Sequence, residues 1–514
     1  MSRISGKSIQ LLKGFKDILP EHQKYWNFLI SQAEKIFLNY GFEKIDVPVL
    51  EESRLYIKGT GKHTDIVQKE LYEFDDKNGE RVALRPEFTP GICRAYIEHG
   101  MLNKQQPLKF YAFGPVFRHD NPQAGRLRQF HQFDLEVIGT DSPVADAQLI
   151  IIAYRFLESL GLTLVVHINS IGCSSCRAEY ISCLRQYLMG AQRKKRLCEN
   201  CRERYSKNPL RILDCKEEEC QKTIYSAPQI VDFLCDECKK HFMAVLEQLD
   251  DIEIPYILDV RLVRGLDYYT RTTFEIYFKD QLAEENRTQS ALAGGGRYDG
   301  LIELLGGRPT SAIGFAIGAE RVISRMRDNN INVPEYNKPD VFVAQLGLEA
   351  RKESFKLYER LLAENIKVGE SFSQDGLKKQ LEKADSLNVK FTLILGQREI
   401  IDKTIILRDM NSGIQEIINY DNIINEIKKR IKTLNSSIKS YMLADIKRDE
   451  KFEEKDVDLV KKVEKNIGRK EVLINGNRDN GEDTKKKEQF IGNRQPKYKL
   501  NSDDEENEKI INKF

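Results

Sequence analysis

The sequence predicts an α+β protein: an antiparallel-sheet domain interrupted by a cysteine-rich helical domain and followed by a small α/β domain. Three observations predict it. Strand-like segments lie on both sides of residues 173–250, eight of the ten cysteines form close pairs within that segment, and apolar and amphipathic segments alternate from residue 340. A chain of 514 residues is also too long for one core.

The predicted sheet domain is assembled from residues 1–172 and 251–335. Apolar residues recur at helical spacing over 21–40, and Gly41 follows as a stop. Residues 110–117 and 130–138 are strand-like and are joined by a polar loop, which predicts an antiparallel hairpin. Strand patterns resume after the cysteine-rich segment, at 271–278, 291–300 and 311–318.

The remaining two segments differ in pattern. Residues 336–434 alternate strand and helix, which predicts a small domain with a mostly parallel sheet. Residues 435–514 lose hydrophobic periodicity, and we expect a disordered tail.

Composition limits the partners and the compartment. Lys plus Arg is 81 and Asp plus Glu is 79, so the net charge of +2 offers no global attraction to nucleic acid, and any such binding must use local basic patches. The start of the chain shows no signal-peptide pattern, and the apolar run at 149–154 is too short to span a bilayer. We therefore expect a cytoplasmic protein without a membrane partner.

The hairpin carries the first candidate site residues. Because strand residues alternate between faces, Gln132, Asp134 and Glu136 share one side, and such a polar row needs partners inside a sheet. Arg118 ends the preceding strand and Arg126 lies in the loop, where guanidinium groups can clamp a phosphate. The alternative is an exposed hairpin with a solvated charged face.

The segment LVRGLDYYTRTTFEIYF, residues 262–278, carries the second group. Gly265 permits a close backbone approach, with Arg264, Tyr268 and Tyr269 beside it. Two tyrosines offer flat walls for an aromatic ligand. The alternative is a tyrosine-rich strand that belongs to the core.

Two glycine-containing segments follow. In ALAGGGRYDGL, residues 291–301, three glycines allow a flat ligand to approach, with Arg297 and Asp299 as polar handles. The segment fits neither a phosphate-binding P-loop nor a dinucleotide fingerprint. In SAIGFAIGAERV, residues 311–322, small residues leave room over a strand, and Arg321 can reach an anion there. The alternative for Arg321 is a surface position.

Eight of the cysteines of residues 173–250 form four close pairs, and Cys183 is left over. In a cytosolic protein such pairs indicate metal ligands before disulfides. Eight thiolates suit two structural four-cysteine zinc sites, and the four pairs can combine in three ways, among which the sequence does not choose. The alternative is a set of reduced thiols without metal. The pairs are Cys173 with Cys176, Cys198 with Cys201, Cys215 with Cys220, and Cys235 with Cys238.

Taken in order, these segments resemble the histidyl-tRNA synthetases over about residues 10–434. GFKDILP lies near the start and RPEFT at 85–89. The hairpin resembles motif 2 and the Arg321 segment resembles motif 3 of the class II aminoacyl-tRNA synthetases. Segments 262–278 and 291–301 resemble stretches particular to the histidine enzyme. The resemblance implies a ligase that forms histidyl-adenylate from L-histidine and ATP and then charges the histidine tRNA.

The resemblance also implies roles for the residues. Arg118 and Arg264 would grip the α-phosphate of ATP as catalytic residues, while Arg126 and Arg321 would hold the outer phosphates, with Mg²⁺ on the pyrophosphate. The residues implied for histidine are Glu87, Thr89 and Gln132 at its amino-acid end, Glu136 and Tyr269 at the imidazole, and Tyr268 beside it.

Three further expectations follow from the resemblance. Residues 336–434 would form the anticodon-binding domain, with Lys378, Lys379 and Lys383 as candidate phosphate contacts. The helix at 21–40 and a strand at 45–50 resemble motif 1, which implies a homodimer. All residues implied for ATP and histidine lie outside 173–250, so we expect a chelator to loosen that segment and leave adenylate formation largely intact.

Rival interpretations come from other classes. A non-catalytic synthetase-like paralogue, regulatory or RNA-binding, would be expected to lose the motif arginines or the anticodon domain, and the sequence retains both. A threonine or proline ligase disagrees with RGLDYYTRTTFE and AGGGRYDG. The cysteine pairs and the tail depart from the usual family pattern, and the resemblance gives them no role.

Overall fold

A computed structural model gives the arrangement of residues 8–62, 64–121, 126–279, 291–335 and 338–433. The chain divides into two compact units between residues 337 and 338. The predicted tail lies outside the described residues, as do residues 122–125 of the hairpin loop. Among the helices of the described part, none is long and apolar enough to cross a membrane.

Eleven strands are described in the first unit, and eight of them form one sheet. They are β1 (Glu43–Lys44), β2 (Leu50–Glu52), β3 (Glu73–Asp75), β4 (Arg81–Leu84), β5 (Leu108–Phe117), β6 (Gln129–Ile138), β7 (Leu164–Ser170), β8 (Tyr256–Leu258), β9 (Thr270–Phe278), β10 (Ala293–Arg297) and β11 (Ala312–Gly318). The large sheet has the order β1-β5-β6-β11-β10-β9-β7-β8, and β2-β4-β3 form a small sheet.

The large sheet is antiparallel from β5 to β7, as the sequence predicted, with parallel pairs only at its edges, β1 on β5 and β8 on β7. The expected hairpin is β5 and β6. The prediction of a strand at 45–50 is wrong, because β1 ends before residue 45 and β2 begins only at residue 50. Pro48 lies between them and has no N–H to donate to a sheet.

Helices cover the large sheet. The pattern at 21–40 is confirmed as α1, and Gly41 follows it with a φ of 77°. The helices of this unit are α1 (Gln23–Asn39), α2 (Ser53–Thr60), α3 (Thr89–Glu98), α4 (Pro143–Ser159), α5 (Ser174–Leu188), α6 (Ala191–Arg196), α7 (Glu199–Lys207), α8 (Glu218–Ile224), α9 (Asp236–Asp251), α10 (Leu301–Leu304) and α11 (Ala319–Asp328).

The two faces of the sheet differ in chemistry. Phe133, Leu135 and Val137 of β6 pack into the main core with residues of α1, α4, α9 and α11. The alternate residues, Gln132 and Asp134, lie on the opposite face and are buried. The period of two thus places the polar row of β6 away from the main core, where α3 and the cysteine-rich segment pack.

The cysteine-rich segment, residues 173–250, contains helices α5 to α9 between β7 and β8. The last of these, α9, buries Phe242, Val245 and Leu249 in the main core beside α4. Contacts therefore keep this segment within the first compact unit. Its interpretation as an inserted domain is not confirmed.

The second unit contains one five-stranded sheet with helices. Its elements are β12 (Val341–Gln345), α12 (Leu348–Ala363), β13 (Val368–Glu370), α13 (Leu377–Ser386), β14 (Phe391–Leu395), α14 (Gln397–Ile401), β15 (Thr404–Asp409), β16 (Gln415–Asn419) and a helical stretch at 423–433. The strand order is β13-β12-β14-β15-β16.

The prediction of a mostly parallel sheet in this unit is wrong. Strand β12 pairs in parallel with β13 and β14, but β14–β15 and β15–β16 are antiparallel. A parallel crossover needs about a dozen residues or more. The links at 396–403 and 410–414 are shorter, so β15 and β16 run back along their neighbours.

Candidate active site

A cleft of about 960 Å³ opens over the polar face of the large sheet. Residues of β6, β10 and β11 lie in its floor, and residues 198–221 of the cysteine-rich segment line another side. Small residues leave room over the floor: Gln132 lies opposite Gly114 of β5 and Gly318 of β11, and Asp134 opposite Ala112 and Ala316.

Four sequence-predicted arginines line this cleft together, namely Arg118, Arg126, Arg264 and Arg321. Three of them are held by local contacts. Arg118 Nε donates to the carbonyl of Pro86 at 2.9 Å, and Arg126 pairs with Asp120 at 2.7 Å. Arg321 donates to the carbonyl of Ala291 at 3.0 Å, and its pKa is lowered by burial and by the charges of Arg126 and Arg118. This convergence of cations suits a polyanionic ligand.

Arg264 is held between a carboxylate and an aromatic ring. Its Nη1 donates to Glu275 Oε1 at 2.6 Å, and its guanidinium lies 5.6 Å from the ring centroid of Tyr269. A Cβ atom on Gly294 would lie 1.8 Å from the same Nη1. The first of the three consecutive glycines is therefore needed to make room for Arg264.

Buried acidic and amide groups line the same cleft. Glu87 accepts hydrogen bonds from Thr60 Oγ1 and from the Tyr268 hydroxyl, each at 2.7 Å. Gln132 Oε1 and Asp134 Oδ2 are buried and have no hydrogen-bond partner among the described residues. Burial, and then Glu136 and Glu87, raise the pKa of Asp134 well above its ordinary value. These acceptors favour a ligand that brings N–H groups and positive charge.

Glu136 lies deeper than the sequence argument placed it. Glu136 is 1% exposed and accepts hydrogen bonds from Thr89 and Tyr298. Thr89 and Tyr298 line the cleft, whereas Glu136 does not. Its partner on β11 is Gly314, and only glycine fits there because a Cβ atom would overlap Glu136 Oε2. Glu136 thus lies beneath the floor and contacts residues that form it.

The proposed ligand role of Arg297 is wrong. Its side chain is fully buried, pairs with Asp146 and Asp299, and donates to the carbonyls of Thr140 and Ser142. The ring Nε2 of His241 on α9 also forms a hydrogen bond with Asp146 Oδ2 at 2.8 Å. Arg297 therefore joins β10, α4 and the cysteine-rich segment as a structural ion pair.

Sequence reasoning missed Tyr298 and Thr60. Tyr298 directly follows Arg297, the last residue of β10, and an alternation of faces that continues past the strand places Tyr298 on the side opposite the buried Arg297. The burial of Arg297 is known only from the structure, so the sequence alone carried no signal for Tyr298. Thr60 ends α2, distant in sequence from the segments that carry the site, and nothing in the sequence pattern singled it out.

The eight paired cysteines come together as two clusters, which the structure selects from the three possible combinations. Cluster A contains Cys173, Cys176, Cys235 and Cys238, and cluster B contains Cys198, Cys201, Cys215 and Cys220. Within each cluster the sulfurs lie within 4.8 Å of one another. Cys93 and Cys183 belong to neither cluster.

The clusters have the geometry of tetrahedral thiolate sites. Zn–S bonds of about 2.3 Å in a tetrahedron place sulfurs about 3.8 Å apart. The Cys173 and Cys176 sulfurs are 3.6 Å apart, and those of Cys198 and Cys215 are 3.8 Å apart. The residues therefore fit one zinc ion in each cluster.

No cleft residue was predicted within the cysteine-rich segment, but part of this segment lines the cleft. Cys198 and Cys215 of cluster B line the cleft, as do Arg211 and Lys216. Arg204 and Arg211 also pair with Asp65, at 2.9 and 3.2 Å, and so hold the segment against the sheet side of the cleft. The sequence did not indicate these two ion pairs, because their partners are more than 130 residues apart in the chain.

We expect Glu136 to make stability depend on pH. Burial raises the pKa of Glu136 to about 8, although hydrogen bonds from Thr89 and Tyr298 lower it. Between its ordinary value of 4.5 and about 8, the folded state holds a proton that the unfolded state has lost. Stability therefore falls as pH rises through this window, by up to about 1.4 kcal/mol per pH unit for one proton.

Thermal unfolding at pH 5 and pH 8.5 measures this effect. The wild-type midpoint should fall more over this interval than that of Glu136→Gln, whose amide cannot ionise. Equal falls in the two proteins would contradict the assignment.

Comparison with known proteins agrees with this geometry. A family model described as histidyl-tRNA synthetase matches residues 14–322, and one described as anticodon binding domain matches residues 340–430. The chain is 45% identical to a histidine–tRNA ligase of Dehalococcoides mccartyi over 420 residues, 82% of this chain and 99% of that protein. It is 42% identical to one of Caldanaerobacter subterraneus, covering 82% and 98%.

A solved structure is also similar. The apo histidyl-tRNA synthetase of S. aureus superposes with a TM-score of 0.70 at 34% identity, covering 82% of this chain and all of that one. The sheet with its arginines and tyrosines, followed by an anticodon-binding domain, is the class II fold of these enzymes. The chain belongs to the histidyl-tRNA synthetase family.

Proposed function

We propose that this chain is a histidine–tRNA ligase, which forms histidyl-adenylate from L-histidine and ATP and then transfers the histidyl group to tRNA. Pyrophosphate leaves in the first step and AMP in the second. The observation that carries this function is one cleft that brings together the four sequence-predicted arginines, buried carboxylates and the tyrosines Tyr268 and Tyr269. A non-catalytic paralogue is less supported, since it would not need to retain all four cations.

The arginines are proposed to bind ATP. Arg118 and Arg264 would contact the α-phosphate, and Arg126 and Arg321 the outer phosphates. Negative charge grows on the α-phosphate in the transition state, so cations that are already held in place lower the barrier. Arg264 meets this requirement through Glu275 and the space above Gly294.

Magnesium would accompany ATP and neutralise the leaving pyrophosphate. Mg²⁺ prefers oxygen ligands and keeps several waters, so phosphates and one or two carboxylates suffice to bind it. Asp120 and Glu275 line the cleft beside Arg126 and Arg264 and offer such oxygens.

Histidine is proposed to occupy the carboxylate-rich part of the cleft. Glu87, Gln132 and Asp134 would accept hydrogen bonds from its ammonium group, with Thr89 beside them. Tyr269 would contact the imidazole with Tyr268 beside it, and the two tyrosine rings support each other with their centroids 4.7 Å apart. Glu136 would act from beneath the floor through Thr89 and Tyr298. An apolar side chain in place of the imidazole would leave the polar groups at that end of the cleft, such as the Tyr269 hydroxyl, unpaired.

The second unit is proposed to bind the anticodon of the histidine tRNA. Lys378 and Lys379 of α13 are exposed and available to phosphates, whereas Lys383 donates to the carbonyl of Glu370 at 2.9 Å. We propose a cytoplasmic location, where these substrates are present.

The proposed enzyme is a homodimer, as its resemblance to motif 1 implies. Exposed apolar residues at Val49, Leu50 and Phe74 near β2 and β3 give such a contact a surface. Sedimentation equilibrium at micromolar concentration should give twice the chain mass of 59.5 kDa. A monomer would rule out the proposed dimer.

Exchange of labelled pyrophosphate into ATP, measured with each amino acid in turn, tests the activity. Only histidine should support exchange. Arg264→His should reduce its rate by at least about a hundredfold, because a preorganised charge contact to the transition state is lost, while histidine binding changes little.

Arg325→His is the matched control, because Arg325 lies on α11 near the cleft and does not line it. It should exchange at the wild-type rate. Exchange with threonine or proline would overturn the substrate assignment, and a near-normal rate for Arg264→His would overturn the role of Arg264.

Clusters A and B are proposed to bind one structural zinc ion each. Hydrogen bonds from backbone N–H groups to sulfur support this, with Cys235 N donating to Cys176 Sγ at 3.1 Å and Cys198 N to Cys220 Sγ at 3.2 Å. Such bonds stabilise thiolates over thiols. Bound zinc would hold distant parts of the segment together.

Metal analysis of protein purified without a metal-affinity tag should find two zinc ions per chain. Cys235→Ser and Cys198→Ser should each lose one, from cluster A and cluster B respectively. Cys183→Ser is the control and should retain both. A wild-type protein without zinc would exclude both sites, and the loss of both ions from either variant would contradict two separate centres.

A further inference from the structure

Cluster B places a further cation, Lys216, in the cleft. Lys216 follows the cluster ligand Cys215 directly, and it lines the cleft together with Arg126 and Arg321. No sequence motif pointed to it, because it belongs to the cysteine-rich segment and not to the segments that resemble the ligase motifs. The cleft thus draws positive charge from two parts of the chain.

The surroundings of Lys216 indicate the ligand it suits. Lys216 lines the same cleft as the two arginines proposed for the outer phosphates, and the carboxylates of Asp214 and Glu275 belong to the same lining. Like charges gathered in one cleft repel one another, and a polyanion that bridges them removes this cost.

The position of Lys216 is fixed on both sides. Gln221 Nε2 donates to the carbonyl of Cys215, which ties the loop to α8. On the other side Arg211 pairs with Asp214 at 3.4 Å and with Asp65 at 3.2 Å. A further hydrogen bond, from Asn208 Nδ2 to Asp267 Oδ1 at 2.7 Å, links this part of the segment to the loop that carries Tyr268. The loop therefore faces the cleft from a braced position.

We propose that Lys216 binds the outer phosphates of ATP and that cluster B, when it holds its metal, positions it for this contact. The inference deepens the proposed function and rests on it for the identity of the nucleotide. It gives the cysteine-rich segment a part in substrate binding, in place of a purely structural one.

Lys216→Met tests the contact, with Lys222→Met as the matched control. Lys222 lies on α8 in the same segment and is exposed, with Glu218 and Glu219 as its partners. Loss of a charge-assisted phosphate contact should weaken ATP binding in direct titration roughly tenfold. AMP has no outer phosphates, so its affinity should not change. The Michaelis constant for histidine should stay within about twofold, and Lys216→Arg should recover most of the loss.

Several outcomes would overturn the contact. Unchanged ATP affinity in Lys216→Met would do so, as would an equal loss for AMP and ATP. A raised Michaelis constant for tRNA with normal ATP affinity would assign Lys216 to tRNA instead. The titration does not depend on turnover, so failure of the ligase assignment would be recognised separately, by absent histidine-dependent exchange in the wild type.

Metal removal tests the positioning role. Wild-type protein stripped of zinc should bind ATP about as weakly as metal-loaded Lys216→Met, and stripping should weaken Lys216→Met little further. If stripped wild-type protein binds ATP at full affinity, the link between cluster B and Lys216 is refuted even where the Lys216 contact itself stands.

Discussion

The two-residue period of the central antiparallel strands is the constraint on which the rest of the structure depends. In β6 it places Phe133, Leu135 and Val137 in the main core and directs Gln132 and Asp134 to the cleft. A slip by one residue would exchange these sets and bury the carboxylates among phenylalanines. Glycine and alanine opposite the polar residues then leave the space that becomes the cleft.

Within that space the charges are arranged in pairs and groups. Arg126 with Asp120 and Arg264 with Glu275 form ion pairs inside the cleft, which hold the guanidinium groups in position without fully neutralising the site. The buried carboxyl groups are costly, as the raised pKa values of Asp134 and Glu136 indicate. Sites that bind charged substrates commonly retain such unfavourable groups, because the substrate supplies the missing partners.

The cysteine-rich segment is tied to this site by polar contacts that cross the fold. His241 of α9 shares Asp146 with Arg297 of β10. Arg177, next to the cluster A ligand Cys176, donates to the carbonyl of Tyr269 at 2.8 Å. Cluster A is therefore next in sequence to a residue that contacts the tyrosine loop, and cluster B is next to Lys216 in the cleft wall.

The sequence alone determined the antiparallel hairpin, the shared face of Gln132 and Asp134, the arginines of the cleft and the pairing of cysteines at short range. These depend on strand periodicity and local spacing, which neighbouring residues specify. Only the tertiary structure decided that Arg297 is a core ion pair, that Glu136 lies beneath the floor, how the cysteine pairs combine and that Lys216 enters the cleft. Each of these depends on contacts between segments that are far apart in the chain. Local sequence patterns do not specify which distant segments will pack against each other.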